Sequence, residues 1–292
     1  MRDYIELTKP RITWLILMST GIGYFYGLPA AATWWDFLRN ISLLSLLHTV
    51  VGTGLIASGT AALNQWYERE ADRQMKRTMM RPLPSGKMSS RAAFAFGVAL
   101  SVFGFVELWL GVNLLSASIG AFTLASYLFL YTPMKQRTWW STTVGAIPGA
   151  MPPMIGFAAA AGRLTPESWI LFAILFLWQF PHFYSIAWMY KEDYARAGIQ
   201  MLPVVEPDGR STARQIVLYG IALVPVSLAP TLLGMAGRIY FAGALVLGLW
   251  FLYSGVRVAV DRTALRARAV LIASVLYLPL IYGLMLVDRQ GL

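Results

Sequence analysis

What most limits how this chain can fold is a succession of long apolar segments separated by short polar connections. A helix that crosses a bilayer needs about 20 mainly apolar residues. Segments of this kind can be read at Ile12–Leu28, Phe37–Leu63, Ala92–Leu110, Leu114–Tyr131, Thr142–Ala160, Trp169–Met189, Ile216–Leu233, Ile239–Val256 and Ala269–Val287. Hydrophobic residues make up 57% of the chain and charged residues 13%, so these runs are too abundant to be the core of a soluble fold. Lipid offers the backbone no hydrogen-bond partner and permits only helices or closed barrels to span it. The expected class is therefore an all-α polytopic membrane protein with about nine transmembrane helices, a single integral-membrane domain over residues 1–292. No cleavable signal is expected before the first span, because Thr8-Lys9-Pro10-Arg11 runs straight into it.

The net charge of +10 would point to nucleic acid in a soluble protein, but here the positive-inside rule accounts for it. Sorted by the nine spans, four of the 24 basic residues fall on one side: Arg39, Arg163, Arg238 and Arg289. The other twenty fall on the opposite side, which is read as cytoplasmic. That places the N-terminus and the loops Asn64–Arg91 and Tyr190–Arg214 inside and the C-terminus outside, with no nucleic-acid partner. With no cysteine, a disulfide framework, a thiolate metal site and a catalytic thiol are all excluded.

Chemistry concentrates in the two long inner loops. Asn64, Glu68 and Asp72 are spaced i, i+4, i+8, so on a helix they share one face. An amide oxygen and two carboxylates suit Mg²⁺, which favours hard oxygen donors completed by water and phosphate. Their bland alternative is a solvated helix end that pairs with neighbouring cations. Glu70 points elsewhere and is expected to face solvent. Arg73, Lys76, Arg77 and Arg81 follow, ahead of the turn Pro82-Leu83-Pro84-Ser85-Gly86. Arginine forks match phosphate oxygens, which favours a diphosphate role for Arg77 and Arg81, whereas anchoring to anionic headgroups would also use such residues. Lys135 and Arg137, at the inner end of the fourth span, either satisfy the positive-inside rule or close a ring of cations around the phosphate.

The second loop begins near Trp178-Gln179-Phe180-Pro181-His182-Phe183 and carries the adjacent acids Glu192 and Asp193, of which at most one can be a direct metal ligand on a helical face. The two histidines, His48 and His182, read differently: His48 as a hydrogen-bonded core residue, His182 as a candidate for chemistry. Glu107 is an intramembrane acid near the outer end of its span, where a functional role and snorkelling are both open. Pro148-Gly149-Ala150-Met151-Pro152-Pro153 interrupts the fifth span. It forms either a packing kink or a broken helix that widens a cavity.

Taken together, the motifs resemble the UbiA superfamily of intramembrane prenyltransferases, and within it the protohaem IX farnesyltransferases (haem O synthases). The resemblance rests on Glu6-Leu7-Thr8-Lys9-Pro10-Arg11, Ala62-Leu63-Asn64-Gln65-Trp66, Lys76-Arg77-Thr78 with Arg81-Pro82-Leu83-Pro84-Ser85-Gly86, and Tyr131-Thr132-Pro133-Met134-Lys135. Further on come Gly145-Ala146-Ile147-Pro148-Gly149-Ala150, Trp178-Gln179-Phe180-Pro181-His182-Phe183 and Asp193-Tyr194-Ala195-Arg196-Ala197-Gly198. Departures are Glu68 where many members have Asp, Tyr190 where an Asp is often found, and Met80 in place of an Asn.

The resemblance implies helices around a central cavity open to the cytoplasm, in a multi-pass protein of the cell inner membrane. It implies farnesyl transfer from farnesyl diphosphate to a vinyl group of haem B, with addition of water, giving haem O and diphosphate. Mg²⁺ is the implied cofactor and haem B a substrate. Membrane lipid is a further partner, and a haem A synthase would consume the product. The implied catalytic residues are Asn64, Glu68, Asp72, Lys135, His182 and Asp193, with Asn64, Glu68, Asp72 and Asp193 on the metal. Arg73, Lys76, Arg77, Arg81, Lys135 and Arg137 would bind diphosphate, while Lys9, Arg11 and His182 would meet the haem. The alternative is a UbiA-type enzyme acting on an aromatic or quinone-precursor acceptor. A transporter or a structural assembly factor also fits charges near a cavity, but the acids gather in inner loops rather than midway along the spans.

Overall fold

The computed structural model describes residues 2–29 and 34–290, and among them the chain is all-α with no strand. The helices are α1 (Arg2–Leu7), α2 (Pro10–Gly27), α3 (Trp34–Asn40), α4 (Leu43–Tyr67), α5 (Arg69–Gln74), α6 (Ser90–Gly111) and α7 (Leu114–Ala125). A π-helical stretch (Ser126–Tyr131) joins α7 to α8 (Thr132–Met134). Then follow α9 (Ser141–Gly149), α10 (Pro152–Ala161), α11 (Pro166–Met189), α12 (Lys191–Arg196), α13 (Leu202–Val205), α14 (Arg210–Leu232), α15 (Arg238–Val260) and α16 (Ala264–Val287).

Eight stretches are long and apolar enough to cross a membrane: Leu43–Tyr67, Ser90–Gly111, Leu114–Met134, Ser141–Ala161, Pro166–Met189, Arg210–Leu232, Arg238–Val260 and Ala264–Val287. They coincide with the second to ninth spans read from sequence. The first corresponds to α2, whose 18 residues reach about 27 Å. The chain is thus a multi-pass α-helical membrane protein. One boundary needs correction. The second span does not start at Phe37, because the chain leaves helix at Ile41 and restarts at Leu43, with the Ser42 side chain accepting from Ser45 N–H. Hydropathy runs on through this cap, so the apolar pattern alone hides it.

The helices group into two compact units. The first comprises residues 1–28, 41–164 and 192–200; the second comprises 29–40, 165–191 and 201–292. Small residues let helices approach within the first unit, as membrane packing requires. Cβ atoms added at Gly52 and Gly59 of α4 would meet Gly104, Ser101 and Gly97 of α6. Near the other end of these helices His48 Nδ1 lies 2.8 Å from Glu107 Oε1, so the intramembrane acid and the histidine satisfy each other. Helix α2 packs backbone to backbone on α10. A Cβ at Gly23 would overlap the Pro153 carbonyl, and one at Gly156 would overlap that of Thr20.

The second unit relies on buried polar links. Trp178 Nε1 donates to the Ser274 carbonyl at 2.8 Å, Tyr240 Oη donates to the Ser227 carbonyl at 2.7 Å, and the Ser227 and Tyr277 hydroxyls meet at 2.6 Å. Phe180 stacks on Tyr219 with centroids 3.6 Å apart. These contacts join α11 to α14 and α16, and α14 to α15 and α16.

The α2–α10 packing yields a test. Gly23→Ala is expected to lower stability by about 1–3 kcal/mol, because overpacking forces backbone apart. It would be read as earlier unfolding in a detergent-micelle denaturation titration. Gly21→Ala, on the same helix with nothing within 4 Å of its added Cβ, should unfold like the parent chain.

Candidate active site

Helix α4 ends at Tyr67, yet Glu68 N–H still reaches the Asn64 carbonyl at 2.9 Å and Asp72 N–H the Glu68 carbonyl at 2.8 Å. The i, i+4 ladder therefore carries the polar strip across the junction into α5. Each of the three oxygen groups faces a cation from elsewhere in the chain. Lys9 Nζ donates to Asn64 Oδ1 at 3.2 Å, Lys135 Nζ lies 2.7 Å from Glu68 Oε1, and Arg81 Nη1 lies 2.7 Å from Asp72 Oδ2. The Asp72 side chain is 1% exposed, and those of Glu68 and Lys135 are each 14% exposed. Three cations against two carboxylates leave the cluster with a surplus of one positive charge.

Local structure explains how each cation arrives. Lys9 precedes Pro10, which disfavours the right-handed helical region, and it takes φ 47°. It is the one non-glycine residue with positive φ among those described. That conformation costs about 1–2 kcal/mol, and such strain gathers at functional sites. Lys135 follows the π-helical stretch and α8, and its carbonyl accepts from Gln200 N–H at 2.7 Å. Its ammonium also lies 4.4 Å from the Tyr131 ring centroid. Arg81 comes from the turn after α5, which Thr78 fastens by donating to the Asp72 carbonyl at 2.8 Å.

Burial and the neighbouring Arg81 push the Lys9 amine down to about 8. Burial also acts to lower Lys135, but the opposing Glu68 carboxylate prevails and holds it well above the ordinary lysine range.

Two cavities meet this strip. A polar recess is lined by Tyr67, Glu68, Ala71, Thr132, Lys135 and Ile199, among others. An apolar cleft of about 710 Å³, counted out to its open mouth, runs along α2, α4 and the α9–α10 break. Lys9 lines the cleft and Thr132 the recess, and Asn64 bonds to both: its Nδ2 donates to Thr132 Oγ1 at 3.3 Å. Pro148, Gly149 and Pro152 line the cleft, so the interrupted fifth span opens space rather than merely bending.

The other candidates are distributed unevenly. Arg77 is exposed and donates to Tyr194 Oη at 3.4 Å. Arg73 holds the Pro84 carbonyl and Glu70. Glu70 is exposed, as its helical position implied. Lys76, Arg11 and Arg137 are exposed. Asp193 is buried against Arg196, three residues on. His182, in the second unit, lies 2.8 Å from Ser274 Oγ and stacks on Trp178.

Among the described residues, no three His, Asp or Glu side chains gather closely enough to hold a metal by themselves. Asn64 Oδ1 with the two strip carboxylates remains a fitting donor set, being all hard oxygen, and Glu68 lines the recess beside Lys135. Thr132, Tyr131 and Tyr194 stand in the motifs quoted above, but the sequence assigned them no role of their own. Trp66 packs against the core of Leu7, Ala62, Leu83 and Ala93, and Tyr127 is the aromatic side chain on the cleft wall.

Residues 16–278 match the model of the UbiA prenyltransferase family. A relative named Protoheme IX farnesyltransferase, from Solibacter usitatus (strain Ellin6076), is 82% identical over 292 residues, covering 100% of both chains. Among solved structures, a digeranylgeranylglyceryl phosphate synthase superposes with a TM-score of 0.79 at 19% identity, over 98% of this chain and 97% of that one. A UbiA homolog from Archaeoglobus fulgidus, bound to GPP and Mg²⁺, superposes with a TM-score of 0.67 at 18% identity, over 97% and 99%. These two likenesses concern the fold. The chain belongs to the UbiA prenyltransferase family, and within it to the protoheme IX farnesyltransferases.

Proposed function

We propose that this chain, acting as one integral-membrane domain, transfers a farnesyl group from farnesyl diphosphate to a vinyl group of haem B. Water adds at the adjacent carbon, and the products are haem O and diphosphate. The observation that carries this reading is the meeting of a cation-paired polar strip with an apolar cleft. Such a junction suits an amphiphile with an anionic head and a hydrocarbon tail. The name of the relative that is 82% identical along its full length supports haem as acceptor.

Asn64, Glu68 and Asp72 would hold Mg²⁺, which when bound supplies charge neutralisation for the diphosphate. The charge balance supports this, because a surplus of one positive charge cannot offset two phosphate groups. Lys135 and Arg81 would move from the carboxylates to the phosphate oxygens, and Lys9 would reach them from the cleft side. As the allylic C–O bond breaks, negative charge grows on the departing oxygen, and these cations are already placed to stabilise it. The vinyl π electrons form the new C–C bond, the water oxygen bonds to the neighbouring carbon, and its proton leaves to solvent. The apolar walls keep water from the allylic cation before the vinyl group reaches it, and the Tyr127 ring can stabilise that cation. By charge bias along the chain, this face of the membrane is cytoplasmic.

Asp72→Asn should cut haem O formation by about 10²–10³-fold, since it removes one carboxylate and leaves Arg81 unpaired. Lys135→Met should lower kcat more than it raises KM, because its contact with the leaving group strengthens in the transition state. Both are read with purified protein, haem B and farnesyl diphosphate, following haem O by its mass. EDTA should abolish turnover and Mg²⁺ restore it. If haem B stays unmodified while a phenolic acceptor is prenylated, the acceptor is wrong and the diphosphate half stands.

A further inference from the structure

At one end of the second unit, three separate connections are pinned to a single indole. Trp188, near the end of α11, donates from Nε1 to the Arg262 carbonyl at 3.1 Å, in the turn between α15 and α16. The Lys191 ammonium, three residues further along, lies 4.3 Å from the centre of the same ring. Gly209, just before α14, abuts the six-membered part of the indole. A Cβ there would stand 2.3 Å from the ring, and the φ of 72° also calls for glycine. The turn that carries Arg210 is thereby seated on Trp188 as well.

Charge at this junction is unbalanced. Arg210 pairs with Asp208 at 3.3 Å and Arg266 with Asp261 at 3.5 Å. Lys191 and Arg262 have no acidic partner among the described residues, so four cations against two acids leave a surplus of two positive charges. The indole face attracts the Lys191 ammonium without cancelling its charge. Aliphatic side chains stand next to these cations. Val260 and Leu265, on either side of Arg262 in the chain, are 79% and 73% exposed. They belong to helices long and apolar enough to cross a membrane, so hydrocarbon is their natural surrounding. The positive-inside rule asks for cations at this end, but it does not ask for three connections to converge on one ring.

We propose that this junction binds the headgroup of an anionic phospholipid, with Lys191 and Arg262 on the phosphodiester and Val260 and Leu265 against its acyl chains. The Arg262 fork suits two phosphate oxygens, and Lys191 adds a compact point charge. Because the indole already holds the three connections together, less backbone ordering is needed when the lipid arrives. A zwitterionic headgroup brings a cation of its own, which the surplus charge repels, so the same arrangement selects against it. The polar strip belongs to the first unit, and the lipid assignment stands whichever acceptor that strip serves.

The test titrates the purified, detergent-solubilised full chain with phosphatidylglycerol or phosphatidylcholine carrying the same acyl chains, and follows the first bound lipid by native mass spectrometry. The parent chain should bind its first phosphatidylglycerol about tenfold more tightly than phosphatidylcholine. Lys191→Gln combined with Arg262→Gln should remove most of that preference. Lys87→Gln combined with Arg91→Gln takes the same charge from two exposed residues of the first unit and should leave the preference intact. The proposal is overturned if the parent chain shows no preference, if the Lys191 and Arg262 variant keeps it, or if the two double variants lose it equally. Displacement of the first phosphatidylglycerol by an equal concentration of haem B would also overturn it, because the junction would then hold porphyrin carboxylates.

Discussion

Where α4 passes into α5, two carboxylates and an amide oxygen are held by three cations drawn from three separate stretches of chain. Most of this end of the first unit is arranged to keep them together. A carboxylate as buried as Asp72 is tolerable only with its partner in place, since removing one member of such a pair leaves an uncompensated charge. Arg81 meets that need 2.7 Å away, and Lys135 does the same for Glu68. With three cations against two carboxylates, the cluster keeps a surplus positive charge that attracts an anion. Lys135 both satisfies Glu68 and lines the recess beside it.

The irregularities of the first unit fall where this arrangement needs them. Regular packed helices would leave no cleft and would aim no lysine along the chain axis. Lys9 reaches Asn64 from a left-handed backbone position ahead of Pro10. A π-helical stretch, a geometry often found at functional sites, contributes Tyr127 to the cleft and leads into Thr132 and Lys135. The break between α9 and α10 places Pro148, Gly149 and Pro152 on the cleft wall. Each departure from helical geometry has a cost, and each puts a named side chain or an opening beside the strip.

Much of this was legible in the amino-acid sequence, and what was not has a common cause. Spans were readable because lipid imposes length and apolarity on each one independently. Phe37–Ser42 misled because an apolar run looks the same whether or not Ser42 caps a new helix within it. The i, i+4, i+8 strip was readable because helix geometry alone puts Asn64, Glu68 and Asp72 together. Which cation serves which oxygen was not readable. Lys9 lies 55 residues from Asn64, and Lys135 reaches Glu68 by way of a π-helical stretch that leaves no periodic mark. Sequence reasoning treated Arg77 and Arg81 as one diphosphate pair, but the turn fastened by Thr78 sends Arg81 to Asp72 and leaves Arg77 against Tyr194. His48 and Glu107 show the same limit, since neither reading anticipated that each would be the other's partner.

Helix α4 ties these levels together because it is a single rod with different duties along its length. At its C-terminal end it carries Asn64 and leads into Glu68 and Asp72, and three turns earlier Thr53 begins its part of the cleft wall. Helical rise fixes the distance between the strip and the residues of α4 that line the cleft, so the register of one segment places both. Gly52 and Gly59 lock that register by letting α6 approach α4 closely. A one-residue slip of α4 would rotate the donors by about 100° away from Lys135 and Arg81 and would also carry Thr53 off the cleft wall. The small residues between α4 and α6 thus hold the polar strip in register from outside it.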